Sequence, residues 1–301
     1  MKDLMGLGTA LITPFKADGS VDYEALTRLL DTQLTGFVDY IVVLGTTGEA
    51  ATLTADEKRE VRRFIVKYVD GRLPLVLGVG GNNTAAVCAE LASLRDELTK
   101  NYAAILSVCP YYNKPNQEGL FQHFCAIAEA SPIPVILYNV PGRTGVNLLP
   151  ETVMRIYSAH PDKIAGIKEA SGNLDQIKHL INLINAEGNE RSEGALHLPL
   201  VISGDDGIVC EVMEAGGAGL ISVASNAFAE DFHDIVHKKD QEKQAQYAEM
   251  IKLLFAEGNP VGIKAVLAQK GIIQNYLRLP LVPASETLQE QLKVESLELR
   301  V

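Results

Sequence analysis

The chain has 301 residues, of which 47% are hydrophobic and 22% charged, as is usual for a globular protein with a sizeable core. Its formal net charge of −11 argues against non-specific binding to nucleic acid or to an anionic membrane surface. The four cysteines form no CxxC pair, and no run of about 18 apolar residues is present. We therefore expect a cytoplasmic protein with free thiols, no bound metal, no nucleic-acid partner and no membrane span.

Short apolar runs recur along the chain, most of them followed by a polar turn and a helical pattern. The first run is interrupted by Pro14 and lacks a basic leader, so we interpret it as a strand rather than as a signal peptide. Two clear helical patterns follow, "VDYEALTRLLDTQL" and "TADEKREVRRFIVKYV", and the second opens with a threonine cap. The eight apolar runs span residues 6–15, 39–49, 74–81, 103–112, 134–145, 163–172, 198–206 and 219–226.

Near-continuous apolar strands that alternate with amphipathic helices predict an α/β protein with a parallel sheet covered by helices. Eight such units favour a (β/α)8 TIM barrel, and an open doubly wound sheet is the alternative. From about Glu230 the pattern is purely helical, so we predict a barrel over 1–229 and a C-terminal helical extension over 230–301. The polar segment 185–197 is interpreted as a solvated surface insertion on the face opposite the active site.

Lys168 lies near the end of the apolar run "KIAGIKEASG", where an unpaired ammonium would cost several kcal/mol. A lysine attacks a ketone only as the neutral amine, and withdrawal from water favours that form. Catalytic groups of a barrel come from the C-terminal ends of its strands. The other strand ends supply hydroxyls and one guanidinium, namely Thr46, Thr47, Tyr111, Tyr112, Tyr138 and Arg143. Together they suit a Schiff-base enzyme for a keto acid and a second carboxylate-bearing substrate.

Six motifs of the chain occur in the order and spacing of a known family: "GTTGEAATL", "PYYNKPNQEGL", "YNVPGRTG", "GIKEASGN", "SGDD" and "ISVASN". From about Gly6 to about Pro283 the sequence resembles dihydrodipicolinate synthase, also called 4-hydroxy-tetrahydrodipicolinate synthase. The resemblance implies a class I aldolase-type barrel that condenses pyruvate with L-aspartate-4-semialdehyde in the diaminopimelate route of lysine biosynthesis. It implies no cofactor apart from the covalent pyruvate imine, and a homotetramer built as a dimer of tight dimers.

The resemblance also implies four catalytic residues. Lys168 would form the imine with pyruvate, and Tyr138 would donate and accept protons there. Thr46 would link Tyr138 to Tyr112 in a proton relay. Tyr112 would reach across the tight-dimer interface into the site of the partner chain.

Four further residues would bind the substrates, according to the same resemblance. Thr47 would bind the carboxylate of pyruvate, and Gly204 and Ile221 would line the pyruvate pocket through backbone atoms. Arg143 would bind the carboxylate of the semialdehyde at the entrance of the site.

The chain departs from the family pattern around the site at which lysine inhibits many members. Ala55, Lys58 and Ala86 occupy positions that often hold histidine or glutamate in inhibited members. An acidic partner for an ammonium is therefore missing, and we expect weak or absent inhibition by lysine. The candidate allosteric residues are Ala51, Lys58, Asn82 and Tyr111.

Other functions are compatible with parts of the pattern. N-acetylneuraminate lyase and 2-keto-3-deoxy-sugar-acid aldolase share the barrel and the lysine, but Arg143 together with Thr46 and Thr47 favours the synthase. A dinucleotide site at "GVGGNN" would have Asn83 in place of the third glycine. A metal-dependent aldolase could use His233 and His237, but no third ligand accompanies them. A non-catalytic barrel descendant would have lost one of the catalytic residues, all of which are present.

Overall fold

Eight parallel strands close into one barrel in the order β1 to β8, in a computed structural model that describes residues 4–190 and 197–299. The predicted barrel is confirmed, and the open doubly wound sheet is wrong. Each strand lies inside one of the eight predicted runs, and the rest of that run forms the loop beyond the strand. The strands are β1 (Gly6–Ala10), β2 (Tyr40–Val43), β3 (Leu75–Gly78), β4 (Ala104–Val108), β5 (Val135–Asn139), β6 (Ile164–Glu169), β7 (Leu200–Ser203) and β8 (Gly219–Ser222).

Both predicted helices form, and the second has the threonine cap that the sequence predicts. α1 begins after Asp22, whose side chain accepts a hydrogen bond from a backbone N–H of the first turn. α2 begins after Thr54, which forms a capping box with Glu57. In the described part of the chain the helices are α1 (Tyr23–Gln33), α2 (Ala55–Val69), α3 (Thr84–Ser93), α4 (Arg95–Asn101), α5 (Gln117–Ala130), α6 (Pro141–Thr144), α7 (Pro150–Ala159), α8 (Leu174–Glu190), α9 (Val209–Glu214), α10 (Ala229–Lys238), α11 (Gln241–Gln246), α12 (Ala248–Phe255), α13 (Val261–Gln269) and α14 (Glu286–Glu298).

The chain packs as two compact units. One unit comprises Met1–Met5 and Pro74–Ile221, and the other comprises Gly6–Leu73 and Ser222–Val301. The C-terminal helices α10–α14 therefore belong to the unit that contains β1 and β2. The predicted domain boundary between residues 229 and 230 stays a prediction.

The polar segment 185–197 begins as a continuation of α8, which runs to Glu190. Its first part is thus helical rather than an inserted loop, and residues 185–188 are exposed or half-buried. Residues 191–196 lie outside the described residues. No helix within 4–190 and 197–299 combines the length and the apolar character needed to cross a membrane.

Candidate active site

Lys168 lies on β6 with only 6% of its surface exposed, so it is not a surface lysine. It pairs in register with Tyr138 on β5, and its Nζ atom lies 4.5 Å from the centroid of the Tyr138 ring. No ion pair of the described residues involves Lys168. The amine of Lys168 is therefore buried against an aromatic face, without a carboxylate partner among these residues.

Gly204 leaves the space that the Lys168 side chain occupies. A Cβ atom at this position would lie 2.9 Å from Cε of Lys168 and 2.6 Å from Cβ of Ala170. The backbone N–H of Gly204 donates to the carbonyl of Glu169 at 2.7 Å, which fixes the loop after β7 against β6. A side chain at residue 204 would displace the lysine, and this steric need explains the glycine.

Behind Lys168, a buried carboxylate closes the other face of the strand. Successive side chains of a strand point to opposite faces, so Glu169 points away from Lys168. Glu169 is 1% exposed. Its carboxylate accepts from Ser171 N at 2.7 Å, Asn139 Nδ2 at 2.9 Å and Gln176 Nε2 at 3.2 Å. These bonds join the ends of β5 and β6 to the start of α8.

Asn139 extends this network to the loop that carries Arg143. Its Nδ2 also donates to Asn147 Oδ1 at 2.7 Å, and its Oδ1 accepts from Leu148 N at 2.9 Å. Asn147 Nδ2 in turn donates to Gln176 Oε1 at 2.7 Å. The loop between β5 and α7 is therefore tied to the strand that holds Lys168.

In the other unit, Thr46–Gly48 form a 3-10 turn directly after β2 and Leu44–Gly45. Thr46 is exposed, whereas Thr47 is only 3% exposed. The Thr47 hydroxyl oxygen accepts from Asn259 Nδ2 at 2.9 Å. The Thr13 hydroxyl donates to the carbonyl of Gly48 at 2.7 Å. Side chains from distant parts of the chain thus hold this turn.

Glu49 ends the turn in the left-handed region, at φ +52°, and its carboxylate forms an ion pair with Lys264 of α13. Both side chains are buried, with 1% and 0% of their surface exposed. Lys264 Nζ also donates to the carbonyl of Tyr276 at 3.1 Å. Burial lowers the pKa of Lys264 to about 8, because removal of the ammonium from water outweighs the attraction of Glu49.

Arg278 holds the start of α2. Its guanidinium donates to the carboxylate of Glu57, with Nη1 at 2.8 Å, and to the carbonyl of Thr52 at 2.9 Å. Its backbone N–H donates to Glu49 at 3.3 Å. The hydrogen bond from Arg278 lowers the pKa of Glu57 to about 2. The residues after the threonine turn are therefore fixed by the C-terminal segment.

Comparison with known proteins assigns the chain to a family. The sequence model of the dihydrodipicolinate synthetase family matches residues 3–297. The chain belongs to this family.

The 4-hydroxy-tetrahydrodipicolinate synthase of Flavobacterium psychrophilum is 48% identical over 299 residues, which cover 97% of each chain. The synthase of Parabacteroides distasonis is 46% identical over 298 residues, 97% of this chain and 95% of that one. The structure of the chloride-inhibited dihydrodipicolinate synthase from Acinetobacter baumannii complexed with pyruvate matches with a TM-score of 0.90 and 35% identity, and covers 99% of each chain.

The remaining residues predicted from the resemblance to this family differ in exposure. Arg143 lies exposed on the short helix α6, and Ile221 is 1% exposed on β8. Tyr112 is 89% exposed and has φ +73°, in the left-handed region. Such an aromatic residue has most of its ring available to another molecule.

Two of the four candidate allosteric residues contact each other. Asn82 Nδ2 donates to the carbonyl of Tyr111 at 3.0 Å, and the Tyr111 side chain is 44% exposed. Ala51 and Lys58 lie in the other unit, where Ala51 is exposed and Lys58 is half-buried on α2. Their allosteric role stays a prediction.

The two histidines considered as metal ligands lie next to each other on α10. The rings of His233 and His237 are 4.3 Å apart, and His237 Nε2 lies 2.7 Å from Oδ2 of Asp39. Within 4–190 and 197–299, no group of three His, Cys, Asp or Glu side chains is arranged to hold a metal ion. The Asp39 contact gives His237 a structural partner.

Proposed function

We propose that the chain is a synthase that condenses pyruvate with L-aspartate-4-semialdehyde to 4-hydroxy-tetrahydrodipicolinate, in the diaminopimelate route to lysine. The names of its relatives and the pyruvate complex of the A. baumannii enzyme support this choice of substrates. The observation that carries the proposal is the environment of Lys168. Its amine is buried, has no carboxylate partner within residues 4–190 and 197–299, and lies against Tyr138 near the end of a barrel strand.

In this reaction Lys168 Nζ attacks the keto carbon of pyruvate. The carbinolamine oxygen takes a proton from Tyr138 and leaves as water, which forms the imine. Loss of a proton from the methyl carbon converts the imine into an enamine, whose carbon attacks the aldehyde carbon of the second substrate. The aldehyde oxygen takes up a proton, and the amino group of the second substrate displaces Lys168 as the ring closes. Each step uses only the lysine and proton transfer, so we propose that no further cofactor is needed.

Carboxylate recognition would use groups at or near the ends of four strands. The Thr47 hydroxyl binds the carboxylate of pyruvate, and backbone atoms of Gly204 and Ile221 line the pocket around it. Arg143 binds the carboxylate of the semialdehyde, since a guanidinium matches a carboxylate with two parallel hydrogen bonds. The exposure of Arg143 on α6 is compatible with a position at the entrance of the site.

The proton relay requires a second copy of the chain. Thr46 connects Tyr138 to Tyr112 of a partner chain, and the tight dimers pair into a homotetramer. The 89% exposure of the Tyr112 side chain supports a role in an interface. All four cysteines are free thiols, which supports a cytoplasmic location.

Trapping of the imine tests the proposal. The protein is incubated with pyruvate, reduced with borohydride and digested, and the modified peptide is identified by mass spectrometry. We expect a pyruvyl adduct on Lys168 in the wild type and in the Lys163→Ala control, and none in Lys168→Ala. Lys163 is a suitable control because it precedes the same strand and its Nζ donates to the carbonyl of Ser131. An adduct elsewhere contradicts the catalytic lysine. An adduct without turnover of the semialdehyde contradicts the second substrate.

Inhibition by the end product is expected to be weak or absent. Ala55 and Ala86 are exposed and carry no group that could bind an ammonium, and Lys58 adds a like charge. Turnover measured against increasing free lysine checks this expectation. Half-inhibition by sub-millimolar lysine contradicts it.

A further inference from the structure

The hydrogen bond between Asn259 and Thr47 has a direction that matters for anion binding. Asn259 Nδ2 donates to the Thr47 hydroxyl oxygen at 2.9 Å, in a buried position. A threonine hydroxyl has one hydrogen to donate and two lone pairs that accept. Because Asn259 occupies a lone pair, the hydroxyl hydrogen of Thr47 stays available for another acceptor. Among the described residues, no hydrogen bond uses either the hydroxyl or the backbone N–H of Thr47 as a donor.

We propose that Asn259 is a positioning residue that directs the hydroxyl proton of Thr47 toward the carboxylate of bound pyruvate, and that the buried Glu49–Lys264 pair holds the turn on which Thr47 lies. This inference rests on the proposed function, which assigns the pyruvate carboxylate to Thr47. It adds residues of the C-terminal segment, which precede or belong to α13, to the pyruvate-binding machinery.

The Glu49–Lys264 pair fixes the backbone of the turn. Glu49 N donates to the carbonyl of Thr46 at 3.1 Å, and the Glu49 carbonyl accepts from Thr52 N at 3.0 Å. A glutamate at φ +52° is uncommon, and such a backbone persists where the surroundings hold it. Here the surroundings are the ammonium of Lys264 and the backbone N–H of Arg278, both on the carboxylate of Glu49.

Stability is a weak reason for a pair of charges at this depth. Lys264 is fully buried, and its Nζ lies 4.2 Å from the centroid of the Phe15 ring. Buried ion pairs are often replaced by apolar residues without loss of stability, since desolvation offsets their attraction. Such a pair can also fix the orientation of the backbone that carries it. Because Glu49 directly follows Thr46–Gly48, we infer that the pair fixes the conformation of this turn.

Two variants of Asn259 test the positioning of Thr47. The probe is pyruvate alone, and the readout is the pyruvate concentration that gives half-maximal borohydride adduct on Lys168. Asn259→Ala removes the donor, and we expect an increase of about tenfold, as for one lost hydrogen bond to a charged ligand. Asn259→Asp is isosteric but can only accept, so the Thr47 proton turns toward it and a negative charge is added. We expect a larger increase than for Asn259→Ala.

The outcomes separate this inference from the function on which it rests. The exposed Asn101, whose Nδ2 donates to the carbonyl of Glu97, supplies the matched control Asn101→Ala, which should behave as the wild type. A wild-type protein without an adduct on Lys168 overturns the proposed function. A wild-type adduct with unchanged half-saturation in Asn259→Ala overturns the positioning role. An unchanged half-saturating pyruvate concentration in Asn259→Asp would show that the amide of Asn259 faces Thr47 with its oxygen. This result would also overturn the positioning role.

Two further variants test the ion pair. Lys264→Met leaves the buried Glu49 carboxylate without its cationic partner, and we expect a lower Tm and weaker pyruvate binding. The double variant Glu49→Gln/Lys264→Met removes both charges. We expect its Tm to recover toward the wild type while its half-saturating pyruvate concentration stays raised by about tenfold. If both the Tm and the half-saturating pyruvate concentration return to the wild-type values, the two charges only neutralise each other. This result would overturn the positioning role of the pair.

Discussion

Tyr138 and Lys168 lie opposite each other on two adjacent parallel strands, and Nζ of the lysine lies 4.5 Å from the centroid of the tyrosine ring. Each of them is 6% exposed. Because a strand fixes side-chain direction more tightly than a loop does, the register of β5 and β6 sets this contact. The strand register leaves the side-chain conformation of the lysine to be determined, and Gly204 lies beside that side chain.

Substitution of Gly204 should therefore impair imine formation. In Gly204→Ala the new Cβ would lie 2.6 Å from Cβ of Ala170 and 2.9 Å from Cε of Lys168, so both the chain at Ala170 and the lysine side chain must shift. A misplacement of about 1 Å can reduce a rate by about a hundredfold. We expect the rate of pyruvate adduct formation to fall by about tenfold to a hundredfold, measured by borohydride trapping over time.

A second glycine provides the control for this substitution. A Cβ at Gly81 would meet only Cγ2 of Val87, at an ordinary distance of 3.4 Å. Gly81→Ala should trap pyruvate at the wild-type rate. A wild-type rate in Gly204→Ala would show that the lysine does not need the space above residue 204.

The buried carboxylate behind the site should contribute to stability. Glu169 accepts three N–H groups, and a glutamine in its place would direct an NH2 group at some of these donors. We expect Glu169→Gln to lower the free energy of unfolding by about 2 kcal/mol, as for a buried hydrogen-bond partner that is lost. Urea unfolding measures the change. Glu151→Gln is the control, since the Glu151 side chain is 62% exposed and its carboxylate lies 2.7 Å from Nε2 of His179.

The sequence predicted the barrel well because strands of a parallel barrel are buried on both faces and appear as apolar runs. The apolar runs extend beyond the C-terminal end of each strand, so the sequence predicts strands that are too long. The run 39–49 contains β2 only over Tyr40–Val43. The run is longer than the strand because Leu44 and Thr47, which follow the strand, are also buried. The hydrophobic pattern cannot distinguish a buried loop from a buried strand, so only the structure shows where each strand ends.

The sequence identified Lys168 by its charge inside an apolar run, and the same signal is present at Lys264 in "VGIKAVLAQKG". The helical pattern after Glu230 predicts only a helix for this segment, although its lysine is even more deeply buried than Lys168. Its partner, Glu49, lies at the other end of the chain, and only the fold brings the two together. Asn139 and Asn259 had no distinguishing signal, because asparagine is common in turns.

The Glu57–Arg278 pair should make stability depend on pH in acid. The hydrogen bond from Arg278 lowers the pKa of Glu57 from 4.5 to about 2 in the folded state. The stabilisation from the ionised carboxylate is therefore fully present above pH 4.5, and it is lost as the pH falls through about 2. The Glu57 side chain is 26% exposed, so solvent screening limits the effect to about 1–2 kcal/mol.

Urea unfolding at pH 6, 4 and 3 checks this prediction. The free energy of unfolding of the wild type should fall more steeply than that of Glu57→Gln as the pH decreases, so that the difference between them narrows. Glu24→Gln, at an exposed position of α1, should follow the wild type. Parallel curves for the wild type and Glu57→Gln would show that the carboxylate is not stabilised by Arg278.

Sharing of Tyr112 between chains can be tested by complementation. In a mixed dimer of Tyr112→Phe and Lys168→Ala chains, the site on the Tyr112→Phe chain has its own Lys168 and receives Tyr112 from the partner chain. Random pairing makes about half of the dimers mixed, and each mixed dimer has one intact site of two. We expect co-expression of two inactive variants to restore about a quarter of the wild-type activity.

The double variant Tyr112→Phe/Lys168→Ala, co-expressed with either single variant, should restore nothing, because no site then holds both groups. If Tyr112 acted within its own chain, neither chain of the mixed dimer could have a complete site, and activity would stay at the level of the separate variants. The 89% exposure of Tyr112 favours the shared site, because most of its ring is available to a partner chain.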